Sequence, residues 1–213
     1  MERDPASRPV PSLAPEHHWA AAASLIHPSL RPAGTAGVDG HNPRVPTGSR
    51  AMGKPIIGPG PAGLAIAYLI PGPGFGVVVG EEHLLAWGVG PDAVSAAAAA
   101  NLAAWSSGVP WVDEFDGRRR VVWSDSGEGM DAARILLPEV RADLADGLGG
   151  IGRVLIGLPE RDLLIAASLV EGDEEFAAML AAYVADRWES ADEPVDGGLF
   201  ELVDGELVVF DWT

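Results

Sequence analysis

From residue 56 onward the apolar positions fall into short paired runs separated by breakers. "LAIAYLI" and "FGVVVG" flank Pro-Gly-Pro-Gly from Pro71, and "RVLIGL" and "LLIAASL" flank Pro-Glu-Arg-Asp from Pro159. Each set predicts a β-hairpin around a four-residue link. "WVDEF" and "RRRVVW" flank Asp116-Gly117, and "LFELV" and "ELVVF" flank Asp204-Gly205. Asp-Gly favours two-residue type I′ turns, whose central residues both need positive φ, so two further hairpins are expected there. Between the hairpins of each set the spacing becomes helical, over 91–105 and 172–188. In the second of these helices Phe176, Leu180 and Val184 form one stripe that should face a sheet. Asp173, Glu174 and Glu175 suit the positive end of its dipole. Ile135, Leu136, Val140, Leu144 and Leu148 predict a linking helix over 130–148, which Pro138 divides.

Pro71 to Pro159 and Asp116 to Asp204 are both 88 positions apart. Two turn signals thus share one period, and the expected architecture is α+β: a tandem duplication of a hairpin-helix-hairpin unit with antiparallel sheets. The units are read as 56–127 and 151–213, joined by the linking helix over 128–150. Before them, 1–15 carries five prolines and reads as an arm. A short helix is expected over 16–26, ended by Pro28. Residues 27–55 read as a long breaker-rich loop, held against the fold or a partner through Leu30, Val38, Val45 and Met52.

Composition narrows the function. With 14 Lys and Arg against 31 Asp and Glu, the formal net charge of −17 opposes nucleic acid and an anionic membrane surface. Apolar runs fall short of the roughly 20 residues a bilayer span needs. The prolines near the N-terminus interrupt any signal-like apolar core, so a cytoplasmic location is expected. The bias toward Ala, Gly, Arg and Asp suggests a GC-rich bacterial genome. Cysteine is absent, which removes disulfides and thiolate chemistry. The five histidines, His17, His18, His27, His41 and His83, lack metal-ligand spacing, and neither Ser126 nor Ser168 sits in a nucleophile elbow.

Gly58, Gly60 and Gly63 match the dinucleotide fingerprint, with Glu81 where a ribose-binding acid would fall. The context is wrong for it. Only Ile56 and Ile57 precede the glycines as a strand, and Pro71 to Gly74 would cut the following helix short. A nucleotide- or flavin-dependent enzyme built on this motif is therefore the alternative, and no cofactor is expected.

"EEHLLAWGVGPDAVSAAAAANLAAW", "ARILLPEV" and "RVLIGLPERDLLIAAS" together resemble the YtpQ-like family of bacterial proteins of unknown function. The positions that fit are Glu82, Leu84, Trp87, Gly88, Asn101, Leu102, Leu137, Pro138, Pro159, Arg161 and Asp162, over roughly 64–210. The resemblance brings no catalytic residues. Asn101, Arg161 and Asp162, which fit it, are the candidate binding residues. At the hairpin tip Glu160, Arg161 and Asp162 either meet a polar ligand or cap their own turn. Arg118 to Arg120, the one basic run, reads as a solvated hairpin edge. The leading functional expectation is a non-enzymatic macromolecule-binding or chaperone-like module, whose partner is another protein or a second copy.

Overall fold

The computed structural model describes residues 18–34, 54–72 and 75–212. The arm over 1–15, His17, His41, Val38, Val45 and Met52 lie outside the described residues. The elements in order are α1 (Trp19–Ala22), β1 (His27–Arg31), β2 (Ile57–Pro59), β3 (Ala65–Gly72), β4 (Phe75–Val78), α2 (Glu81–Trp87) and α3 (Pro91–Ser106). They continue as β5 (Val112–Phe115), β6 (Arg120–Ser124), α4 (Pro138–Gly149), β7 (Arg153–Glu160), β8 (Leu163–Leu169), α5 (Glu174–Ser190), β9 (Leu199–Val203) and β10 (Glu206–Val209). Short 3₁₀ segments occupy Pro61–Gly63 and Ala132–Leu136. None of the helices among the described residues is long and apolar enough to cross a membrane.

The fold is α+β with two antiparallel sheets. All four expected hairpins form, as do the helices over α3 and α5. Pro138 does divide the linker: the 3₁₀ segment ends before it, and Pro138 opens α4, where the backbone N–H it lacks would have had no intrahelical acceptor. The link after β7 is shorter than expected, because Glu160 still pairs with Leu163 across a bulge, leaving only Arg161 and Asp162 in the turn. Asp204 and Gly205 both have positive φ, as a type I′ turn requires. Asp116 does not. Its Oδ1 accepts from the backbone N–H groups of Arg118 and Arg119, at 3.1 and 2.8 Å, and this stabilises a four-residue loop instead.

Two expectations near the N-terminus need correction. The helix is a single turn, α1, and His27 to Arg31 is not loop but strand β1, paired with β3 from His27–Leu69 to Arg31–Ala65. Pro28 is tolerated because β1 is an edge strand, where a missing donor costs no ladder bond. Leu30 is buried in the core. The helix α2 also went unforeseen; the Gly80 N–H donates to His83 Nδ1 at 3.0 Å, capping it.

The element order recurs, yet the pairing does not make two equivalent units. The six-stranded sheet runs β10-β9-β7-β8-β6-β5, so the hairpin β5–β6 pairs with β8 and not with β3 or β4. The smaller sheet is β3 with β1 on one edge and β2 and β4 on the other. Both faces of the large sheet are covered. On one, Leu155, Ile165 and Ala167 pack against Phe176, Leu180 and Val184 of α5. On the other, Ile156, Leu158 and Leu164 pack with Val140, Leu144 and Leu148 of α4 and with Ile135. This accounts for the near-continuous apolar runs of β7 and β8, since a strand buried on both faces has no polar alternation. Gly157 lets α5 approach closely, because a Cβ there would lie 2.6 Å from Val184 Cγ2. Α3 lies on the small sheet, where Val94 and Ala98 meet Tyr68, Ile70 and Val77.

Candidate functional site

Arg161 and Asp162 stand where three separate segments meet. The Arg161 backbone N–H donates to the Glu193 carbonyl at 3.2 Å, and its carbonyl accepts from Ala132 N–H at 3.1 Å. Its Nη1 pairs with Glu193 Oε2 at 2.6 Å, while Glu193 Oε1 lies 3.7 Å from Arg31 Nη1 on β1. Two arginines therefore share one carboxylate. Gly129, at φ 78°, stacks on the Arg161 guanidinium; a Cβ there would lie 2.6 Å from both Cζ and Nε. Any side chain at 129 would displace the arginine.

The face of β1 completes the junction. Alternation puts His27, Ser29 and Arg31 on one face, opposite Leu69, Ala67 and Ala65 of β3. Burial lowers the Arg31 pKa, an effect that Glu193 opposes and Arg161 reinforces. Burial also lowers the His27 pKa, opposed by Glu128. Asp162 is pushed the other way, upward, by burial; Arg161 and a hydrogen bond from the Gly129 N–H counter this. Four buried polar atoms here have no hydrogen-bond partner: His27 Nδ1, Ser29 Oγ, Arg161 Nε and Asp162 Oδ1. Each such atom normally costs about 1–3 kcal/mol, so their concentration at one junction makes it the candidate site.

The Asp162 shift has a testable sign. An acid whose folded-state pKa is raised binds its proton more tightly when folded, so stability grows as pH falls from that raised value toward about 3.9. Asp162→Asn should therefore stabilise the protein at pH 7, and the gain should shrink at pH 4. Urea midpoints of both proteins at the two pH values test this; an equal gain at both would refute it.

A second polar cluster adjoins the first. Arg134, on the 3₁₀ segment, is buried, and its Nε and Nη1 donate to Ser106 Oγ at 3.0 Å and Ser124 Oγ at 2.7 Å. Its Nη2 reaches the carbonyls of Ser106 and Val109, both at 3.3 Å, and the group stacks on Trp111 at 3.9 Å. Ser124 Oγ also bonds the buried carboxylate of Asp131, whose other oxygen accepts from Ser126 N–H and Oγ at 3.1 and 2.6 Å. This network ties the end of α3, strand β6 and the 3₁₀ segment together. Ser126 is thus an anchor for Asp131.

The other expected site residues lie elsewhere. Asn101, on α3, donates through Nδ2 to the carbonyls of Ala23 and Ile26, both at 2.8 Å, and so holds the α1–β1 connection. It does not meet Arg161 or Asp162. Gly58 is in β2, Gly60 precedes and Gly63 ends the 3₁₀ turn that leads into strand β3, and no helix follows. Gly60 N–H bonds Leu64 O at 2.7 Å, and a Cβ on Gly60 would lie 2.9 Å from that oxygen. Gly63 has φ 81°. The glycines thus serve a tight turn between two strands. Glu81 starts α2, its N–H bonded to Lys54 O at 2.9 Å.

Arg118 to Arg120 are not a uniformly solvated edge. Arg119 forks onto Asp173 with two bonds of 2.7 Å, and Arg120 forks onto Asp113 and also reaches Gly147 O at 2.8 Å. A cavity of about 380 Å³ lies beside Trp188, Glu189, Ala191, Asp192 and Pro194. Among the described residues no group of His, Cys, Asp and Glu has the arrangement to hold a metal. Comparisons with family models, with curated proteins and with solved structures find no match for this chain.

Proposed function

We propose that this protein is a binding module that takes an extended segment of another protein along the open edge of its six-stranded sheet. Strand β5 carries the reading. It ends the sheet, and all four of its residues are exposed, including the apolar Val112 and Phe115. An exposed edge with apolar side chains is a template for an added strand, whose main-chain bonds supply affinity while alternate side chains supply selectivity. On this edge Asp113 and Glu114 lie between Val112 and Phe115, and although Arg120 already pairs with Asp113, the net charge of −17 favours an extended segment with basic residues between apolar ones. Two copies paired through β5 would set those acids against each other, which disfavours self-association at this edge. The resemblance to the YtpQ-like family is compatible with this reading and adds no activity to it.

The Asp116 N–H bonds Arg119 O, so along the ladder Glu114 and Val112 face β6 while Asp113 and Phe115 turn their backbone groups outward. Phe115→Pro should therefore remove an outward donor without breaking the hairpin. Peptides selected from a random library on the purified protein should be extended and basic-apolar, and should slow amide exchange over 112–115. Their affinity should fall at least about tenfold, equivalent to 1.4 kcal/mol, in Phe115→Pro. Selected peptides that bind the variant equally, or a concentration-dependent dimer through β5, would refute the reading.

A further inference from the structure

We infer that the Arg161 junction is a binding site for a small carboxylic acid bearing a hydroxyl or amino group beside its carboxylate. The inference is independent of the β5 edge and starts from how arginines pair in this molecule. Four other arginine-carboxylate pairs use the side edge of the guanidinium, formed by Nε and Nη2: Arg119 with Asp173, Arg120 with Asp113, Arg153 with Glu201 and Arg187 with Glu160. This planar fork is the strongest way to hold a carboxylate.

Arg161 differs from all four. It meets Glu193 through Nη1, and its buried Nε has no partner, so its side fork is unspent. Its main chain is pinned at both the N–H and the carbonyl, and Gly129 covers one face of the guanidinium. The fork is held in place before any ligand arrives, which lowers the entropy cost of binding.

The neighbouring groups select the rest of the ligand. Arg31 adds a second positive charge across Glu193. Ser29, two residues from Arg31 on the same strand face and 1% exposed, has a hydroxyl without a partner, flanked by the small side chains of Ala67 and Ala65. That hydroxyl can donate to a carboxylate oxygen. Asp162 Oδ1, adjacent in sequence to the fork, is an acceptor without a partner and calls for a ligand hydroxyl or ammonium. A carboxylate with a donor on the next carbon satisfies Arg161 Nε, Ser29 and Asp162 together, and removes the penalty of leaving three buried groups unpaired.

The test is an NMR titration of the full chain with glycolate, glycine and acetate, each to about 10 mM, a range that reads dissociation constants of about 1–10 mM. Glycolate or glycine should shift the amides of 29–31, 129–131 and 161–163, with acetate at least about tenfold weaker, the equivalent of 1.4 kcal/mol. Arg161→Lys keeps the charge and can still pair with Glu193 but has no fork, and should weaken binding about tenfold or more. Ser29→Ala keeps every charge and should weaken it by a smaller factor, which provides a second reading should Arg161→Lys not fold by circular dichroism. No shift with any of the three acids, acetate binding as tightly as the others, or unchanged affinity in both variants would overturn the proposal.

Discussion

Replacing Arg134 with alanine should lower the unfolding free energy by about 3–5 kcal/mol, because it leaves a buried carboxylate without its counter-charge. Arg134 is 2% exposed and Asp131 is fully buried, with Ser124 bonded to both. The substitution strips donors from Ser106, Ser124 and Val109 as well as the stacking partner from Trp111. Lysine should rescue little, since one ammonium cannot reach acceptors spread around a planar fork. Ser124→Ala should cost about 1–3 kcal/mol, the range for a buried group losing its partner. Urea denaturation monitored by tryptophan fluorescence measures all three. A loss under about 0.5 kcal/mol for Arg134→Ala, typical of surface positions, would mean that the network does not form.

Leu180→Ala should cost about 2–5 kcal/mol, because Leu180 lies on the buried stripe of α5 between Phe176 and Val184. The spread depends on how far the helix can settle into the space left behind, and Val184 seated over Gly157 leaves it little room to move. Met179, one position away and 52% exposed, provides the internal control. Met179→Ala should change stability by less than about 0.5 kcal/mol. Equal losses at 179 and 180 would mean that α5 is rotated relative to the sheet.

The α5 stripe was legible because three apolar residues at helical spacing record a local geometry. The same holds for the existence of the four hairpins, although only Asp204-Gly205 carries the two positive φ angles that Asp-Gly predicts. What the chain conceals is which hairpin pairs with which. The 88-residue period implied that β5–β6 belongs with its own predecessors, but Val121 to Ser124 lie instead against Ala167 to Leu164 of β8. No short window encodes that choice, which is decided by packing across both faces of the sheet.

The candidate site was half visible for the same reason. Arg161 and Asp162 drew notice at a hairpin tip, whereas Arg31, Glu193 and Ser29 come from segments far apart and from a stretch whose Pro28 read as a helix stop. Arg134 sits beside Ile135 and Leu136 in what reads as a linking helix, where an arginine ordinarily faces water. Its burial follows from the 3₁₀ segment wedging between α3 and β8, which is a tertiary fact. Asn101 reads in the sequence as a binding residue, whereas in the fold its Nδ2 holds the connection between α1 and β1.

The placement of β5–β6 also governs the order in which the chain can complete itself during synthesis. The hairpin leaves the ribosome early, yet Val122 finds Ala166 only after about 45 further residues, a delay of roughly 2–9 s at ordinary translation rates. Through that interval Val121, Val122 and Trp123 have neither β8 beneath them nor α5 above. The newborn chain therefore carries, for seconds, an apolar ribbon with two open edges, and its yield in a cell should depend on how quickly the segments that follow arrive to shield it.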